Sequence, residues 1–236
     1  MRAELMRAMT FCAAHRVATS PHESARRLHG HSFGVELRLE GPLDEQRGWL
    51  MDFGAIREAF APCAEQLNHS YLNEIEGLET PDNPSLARWI FDRLKPGLPA
   101  LERVHVTILG ELRFAPRRLL EDARLRLPER VGFSLESAHR LPFAGEGHKC
   151  QRLHGHSFRV EVGAGDVARL AEPLRHIYDL LDHHYLNEIE GLENPTSENL
   201  AAWIWQALRA DVPDLTVVVV RESPECACVY RGRCAD

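Results

Sequence analysis

Apolar and polar residues alternate from His154 onward. His154, His156, Phe158, Val160 and Val162 fall on one face, and Ser157, Arg159 and Glu161 on the other. A period of two predicts a half-buried strand over residues 154–163, and residues 29–40 read the same way. Each is preceded by another predicted strand, near residues 11–17 and 133–141. The period changes to 3.6 after residue 196, where Leu200, Trp203, Ile204, Ala207 and Leu208 form a helical stripe that Thr196 or Ser197 can cap. In the equivalent earlier stretch, Pro84 follows Asn83 at a first-turn position. A further helical segment precedes Tyr71, and another precedes Tyr185. Runs of β-branched residues predict strands over 104–110 and 215–221, and 228–231 reads as a last strand. The predicted order is ββααββ, stated twice, an α+β arrangement.

The doubling is explicit in the letters. RLHGHSF occupies residues 27–33 and 152–158, and YLNEIEGLE occupies 71–79 and 185–193. Identity of this length, in the same order, marks a tandem duplication. The copies are placed at residues 1–118 and 128–236, joined by a charged stretch over 117–130. The offset is 125 residues at His29 and His154 but 114 at Tyr71 and Tyr185, so the second copy is 11 residues shorter between the motifs. It has no counterpart of residues 48–53, which read as the second strand of the first hairpin.

Composition narrows the function classes. A chain of 236 residues accommodates two domains of about 100–120 residues, and 44% hydrophobic content provides cores for both. The formal net charge of −7, with no Lys/Arg-rich block, argues against a nucleic-acid partner. No apolar run reaches signal-peptide or membrane-span length, so a cytoplasmic protein without a membrane partner is expected. The six cysteines, at irregular spacings, then read mostly as free thiols.

The candidate chemistry is concentrated around the HGH strings. On a strand, the two histidines share a face about 7 Å apart along the backbone. A neighbouring antiparallel strand carrying His139 adds a third nitrogen to His154 and His156. Three histidines leave one tetrahedral position open, the pattern of a catalytic zinc site, and neutral imidazole suits zinc. His15, His29 and His31 form a second possible site. Cys150 stands four residues before His154, where a dication and His148 or Lys149 would lower a thiol pKa. Asp182 and His183 can form a carboxylate–imidazole pair for proton transfer, which adjacent residues achieve in a loop or at a helix end. Glu222, at the end of a strand, offers two acceptors to paired N–H donors of a heterocycle. Cys226 and Cys228 read as strand residues.

These residues identify a resemblance. AHRLPFAGEGHKCQRLHGHSF, LDHHYLNEIEGLENPTSENLAAWIW and VVRESPECACVYRG closely resemble the queuosine-pathway branch of the 6-pyruvoyltetrahydropterin synthase family. The first half matches through AAHRV, RLHGHSF, GWLMDF and HSYLNEIEGLE. The resemblance implies a T-fold, whose sheets assemble into barrels with sites at subunit interfaces. It implies zinc on His139, His154 and His156, a catalytic thiol at Cys150 with Asp182 and His183 as acid/base partners, and Glu222 as pterin anchor. The implied substrate is 7,8-dihydroneopterin triphosphate, with 6-carboxy-5,6,7,8-tetrahydropterin, acetaldehyde and triphosphate as products. Single-copy relatives often form hexamers, so a homo-oligomer of three tandem chains is expected.

The first half departs from the family pattern. Ala25 stands where the thiol is expected, and Asn68-His69 replaces Asp-His, while His15, His29, His31 and Glu111 are kept. That half is expected to be inactive scaffold, with the chemistry in the second. Two alternatives share this description: 6-pyruvoyltetrahydropterin synthase activity, and a zinc- or pterin-binding module without turnover.

Overall fold

The computed structural model describes residues 2–44, 47–110, 113–120, 125–224 and 226–232. The first half runs β1 (Arg2–His15), a one-turn α1 (Glu23–Arg26), β2 (His29–Pro42), α2 (Phe53–Leu67), α3 (Asn83–Leu94) and β3 (Leu101–Ile108). After a short β4 (Arg117–Leu119), the second half runs β5 (Arg130–His139), β6 (His154–Ala164), α4 (Ala171–Leu181), α5 (Ser197–Leu208), β7 (Leu215–Ser223) and β8 (Cys226–Tyr230). The strands form two antiparallel sheets, β1-β2-β3 and β4-β5-β6-β7-β8. The α+β class and the tandem organisation are therefore as the pattern predicts. Among the described residues neither sheet closes into a barrel within one chain.

Each sheet packs one face on two helices. In the first half Phe11, Phe33, Val35 and Leu37 meet Ile56, Phe60, Leu67, Leu86 and Ile90. In the second, Leu135, Phe158, Val160 and Val218 meet Leu174, Leu181, Leu200 and Ile204. Alternation on the strands and helical spacing on the helices bring these side chains to one layer. Asp82 caps α3, accepting from the Ser85 amide at 2.8 Å, with Pro84 in the first turn. Thr196 caps α5, accepting from the Asn199 amide at 3.2 Å. The α5 stripe is rotated slightly from expectation: Ala201 is buried and Ala207 is exposed.

Two further expectations change. Residues 48–52 form a loop leading into α2, which begins at Phe53, and not a strand. The shortening of the second copy is instead spread over several elements. β6 has 11 residues against 14 in β2, α4 has 11 against 15 in α2, and 6 residues join them, 165–170, against 10 in 43–52. The strand at Arg117–Leu119 pairs with β5 of the second sheet, so the stretch that joins the halves supplies that sheet with an edge.

The halves meet where the HGH strands cross. The Ser32 amide donates to Ser157 Oγ at 3.1 Å, and the Ser157 amide donates to Ser32 Oγ at 3.2 Å. A Cβ on Gly30 would overlap the Gly155 Cα, and a Cβ on Gly155 would overlap the Gly30 Cα. The central glycine of each HGH is therefore required by the approach of the other half's backbone. Among the described residues no helix is long and apolar enough to cross a membrane. Cys12, Cys63, Cys150, Cys226 and Cys228 are free thiols, and Glu111 and Cys234 lie outside the described residues.

Candidate active site

Strand register places the histidines. His15 is opposite His29 and Ala13 opposite His31; His139 is opposite His154 and Ser137 opposite His156. In each half three ring nitrogens lie within 4.8 Å of one another, and all six rings are buried.

The protons on these rings can be placed. His15 Nδ1 donates to the Pro81 carbonyl at 2.8 Å and His29 Nδ1 to the Arg27 carbonyl at 2.8 Å. His139 Nδ1 donates to the Pro195 carbonyl at 3.0 Å and His154 Nδ1 to the Arg152 carbonyl at 2.8 Å. A carbonyl only accepts, so Nδ1 carries the proton and Nε2 is a bare lone pair. Yet the bare nitrogens face each other, at 3.1 Å for His15 and His29 and 3.0 Å for His139 and His154. Lone pairs at that distance repel unless a cation lies against both. A tetrahedral cation with bonds of about 2.0 Å holds its nitrogens about 3.3 Å apart. The donor set in each half therefore fits a divalent cation. Burial pushes His15 and His139 down to about 4 and His154 to about 3, although the carbonyl bonds oppose it. Near neutral pH these rings are neutral, the form that ligates.

Each triad is flanked by a histidine from the opposite half. His183 lies against His29 with ring centroids 4.4 Å apart, and His69 stacks on His154 at 4.3 Å. Helix ends produce this arrangement. Asp182 is the C-cap of α4 and Asn68 the C-cap of α2, and the next residue, His183 or His69, has a left-handed φ of 54° or 56°. The His183 amide donates to the Glu136 carbonyl at 2.8 Å, and the His69 amide to the Cys12 carbonyl at 2.6 Å. Left-handed backbone at a histidine is uncommon, and such positions cluster at functional sites.

The two helix ends differ in chemistry. Asp182 Oδ2 accepts from His183 Nδ1 at 2.7 Å, and Oδ1 accepts from the Glu136 amide at 2.9 Å. Asn68 reproduces only the second bond, accepting from the Cys12 amide at 3.0 Å. Among the described residues His69 Nδ1 is buried without a partner. Burial pushes His69 down to about 3, with His154 adding to the effect.

Cys150 joins the second triad, its Sγ within 4.8 Å of ligand nitrogens on His69 and His154. It shares that site with His69. Asp182 and His183, grouped with Cys150 by the sequence, stand at the first triad. Burial pushes the Cys150 thiol up, Lys149 pulls against it and Glu222 adds to it; the lowering expected beside a dication belongs to the metal-loaded site. Glu222 lies within β7, where its Oε1 accepts from Ser197 Oγ at 2.9 Å, and it acts on both Cys150 and Cys12. Burial pushes the Glu222 carboxyl up. The second triad thus has metal ligands, thiol and imidazole in one place. The first triad has Ala25 on α1 in the thiol's place.

Sequence reasoning missed Glu136. It is wholly buried, and its Oε2 accepts from His31 Nδ1 at 2.5 Å and from Ser157 Oγ at 2.7 Å. Burial pushes its carboxyl well above the usual range, with the Ser157 bond opposing. The available signal was an acid in the middle of a core strand, where the first copy has Cys12.

The 6-pyruvoyl tetrahydropterin synthase family matches the chain twice, over residues 4–111 and 130–233. The 6-carboxy-5,6,7,8-tetrahydropterin synthase of Synechocystis sp. is 44% identical over 115 residues, covering 42% of this chain and 88% of the relative. The dihydroneopterin monophosphate aldolase of Pyrococcus furiosus is 32% identical over 99 residues, covering 42% and 81%. The 6-carboxy-5,6,7,8-tetrahydropterin synthase of Bacillus subtilis is 29% identical over 119 residues, again covering 42% and 81%.

Proposed function

Since the chain belongs to the 6-pyruvoyl tetrahydropterin synthase family, we propose that it is a zinc-dependent lyase of the queuosine route. It converts 7,8-dihydroneopterin triphosphate and water to 6-carboxy-5,6,7,8-tetrahydropterin, acetaldehyde and triphosphate. The observation that carries this reading is the meeting of Cys150 with His69 and His154 at the second triad. His139, His154 and His156 would hold the zinc, which would supply a Lewis acid for the side-chain oxygens of the substrate. Glu222, held by Ser197, accepts from the N–H groups of the pterin ring. The Cys150 thiol, placed beside His69 and His154, donates a proton on one side. His69, kept neutral by burial, takes one on the other. The first half supplies His69 and the scaffold, while Asp182 and His183 serve a triad that lacks a thiol. Exposed edge strands suit closure of the sheets into barrels, with three chains supplying six repeats.

A second reading, a zinc- or pterin-binding module, is favoured by one observation: the thiol and the Asp182–His183 pair stand at different triads. One experiment separates the readings. Zinc-loaded protein is incubated with 7,8-dihydroneopterin triphosphate and the products are identified by mass spectrometry, with light scattering of the same sample reading a trimer. The expected products are 6-carboxytetrahydropterin and acetaldehyde, lost at least about 100-fold in Cys150→Ala with zinc retained. A pyruvoyl product would move the protein to the sister activity. Bound zinc and pterin without conversion would leave the module.

A further inference from the structure

The two triads are built alike but supported differently. In both halves two of the three histidines have Nδ1 fixed by a backbone carbonyl. The third, the second histidine of HGH, has no such carbonyl. In the first half His31 Nδ1 donates to Glu136 Oε2 at 2.5 Å, across the boundary between the halves. In the second half His156 Nδ1 is buried with no partner among the described residues. The residue that stands in the first copy where Glu136 stands in the second is Cys12, since each lies three positions before its triad histidine. A thiol is only a weak acceptor beside a carboxyl oxygen.

Glu136 is itself held in place. Its Oε2 also accepts from Ser157 Oγ at 2.7 Å. Room for the other oxygen comes from Gly110, where a Cβ would overlap Glu136 Oε1. At the equivalent place in the second half, one residue before Glu222, stands Arg221. The carboxylate, the serine and the glycine thus form one arrangement around the first triad.

We infer that Glu136 is a positioning residue for His31 and makes the first triad, His15, His29 and His31, the tighter divalent-cation site of the two. A cation on His31 Nε2 requires the shared proton to be held as Nδ1–H against Oε2, which fixes the tautomer and raises ligand basicity. Outer partners of this kind change metal affinity by about 10–100-fold. The inference rests on the metal-binding part of the proposed function, and assigns the first half a resident metal with no thiol beside it.

The test is competition of the metal-free full chain with a chromophoric chelator for zinc. Two classes of site per chain are expected, the tighter removed by His29→Ala and the weaker by His154→Ala. Glu136→Gln is expected to weaken the tighter class about 10–100-fold and leave the weaker unchanged. Gly110→Ala keeps the carboxylate but displaces it, and is expected to weaken the same class even if Glu136→Gln fails to fold. Equal affinities in the unaltered protein, or a tighter class untouched by either variant, would overturn the inference. Zinc uptake by neither triad would overturn it together with the metal-dependent reading. The expected two-class pattern in a protein without turnover would support it while sinking only the lyase.

Discussion

At the scale of single residues, the difference between the helix ends is one atom pair. Asp182 holds His183 Nδ1, whereas Asn68 leaves His69 Nδ1 without a partner among the described residues at the site that contains the thiol. A carboxylate there would fix the His69 tautomer and stabilise the imidazolium that forms as it takes a proton. Asn68→Asp is therefore expected to raise turnover on 7,8-dihydroneopterin triphosphate by about 10-fold or more, within the range of general-base effects. Steady-state kinetics check it, and an unchanged or lower kcat in a folded, zinc-loaded variant would remove His69 from the reaction. The ligands, Cys150 and the Asp182–His183 pair were legible as residue types at telling spacings. Which of them meet was not legible, because the meeting depends on two helix ends reaching into the other half. Glu136 was hidden for the same reason: its partner, His31, lies 105 positions away in the chain.

At the scale of elements, the repeated YLNEIEGLE string has a structural explanation. Asn73 accepts from the Arg16 amide at 3.0 Å and donates to its carbonyl at 2.9 Å, and Asn187 does the same to Arg140 at 2.9 Å both ways. The asparagine clamps the chain immediately after His15 or His139 and so fixes the end of a ligand strand. Strands and helices were readable from their periods, with ends shifted by a few residues. The pairing of Arg117–Leu119 with β5 was not, since three residues carry no periodic signal and their partner is set by packing. The glycines of HGH were readable as small but not as a crossing point. Because the obstacle at each is backbone, Gly155→Ala or Gly30→Ala is expected to destabilise the chain at the upper end of about 1–3 kcal/mol. Urea unfolding reads this as a lower midpoint, and variants as stable as the unaltered chain would mean that the halves do not meet at these strands.

At the scale of the whole molecule, duplication has let two sites divide one set of groups: carboxylates around the first triad, thiol around the second. The fold class and the tandem plan were legible because both copies kept their letters. The crossing of the halves was not, because no local pattern encodes it. One consequence belongs to the molecule as a unit: it buries histidines in neutral form. Burial pushes His15 and His139 down to about 4, and His154 and His69 to about 3. In the unfolded chain each titrates near its ordinary value of 6.5. Between those values the unfolded chain binds more protons than the folded one, so stability is full above about 6.5 and falls as pH drops toward 4. Each such histidine adds a slope of up to about 1.4 kcal/mol per pH unit. Urea midpoints of chelator-treated protein are expected to hold near neutral pH and fall progressively between pH 6.5 and 4. Zinc loading is expected to raise them most near neutral pH, where the ligands are free of protons. A flat acid profile in the metal-free protein would mean that these rings are not buried neutral, and the lone-pair argument for a cation in each triad would fall with it.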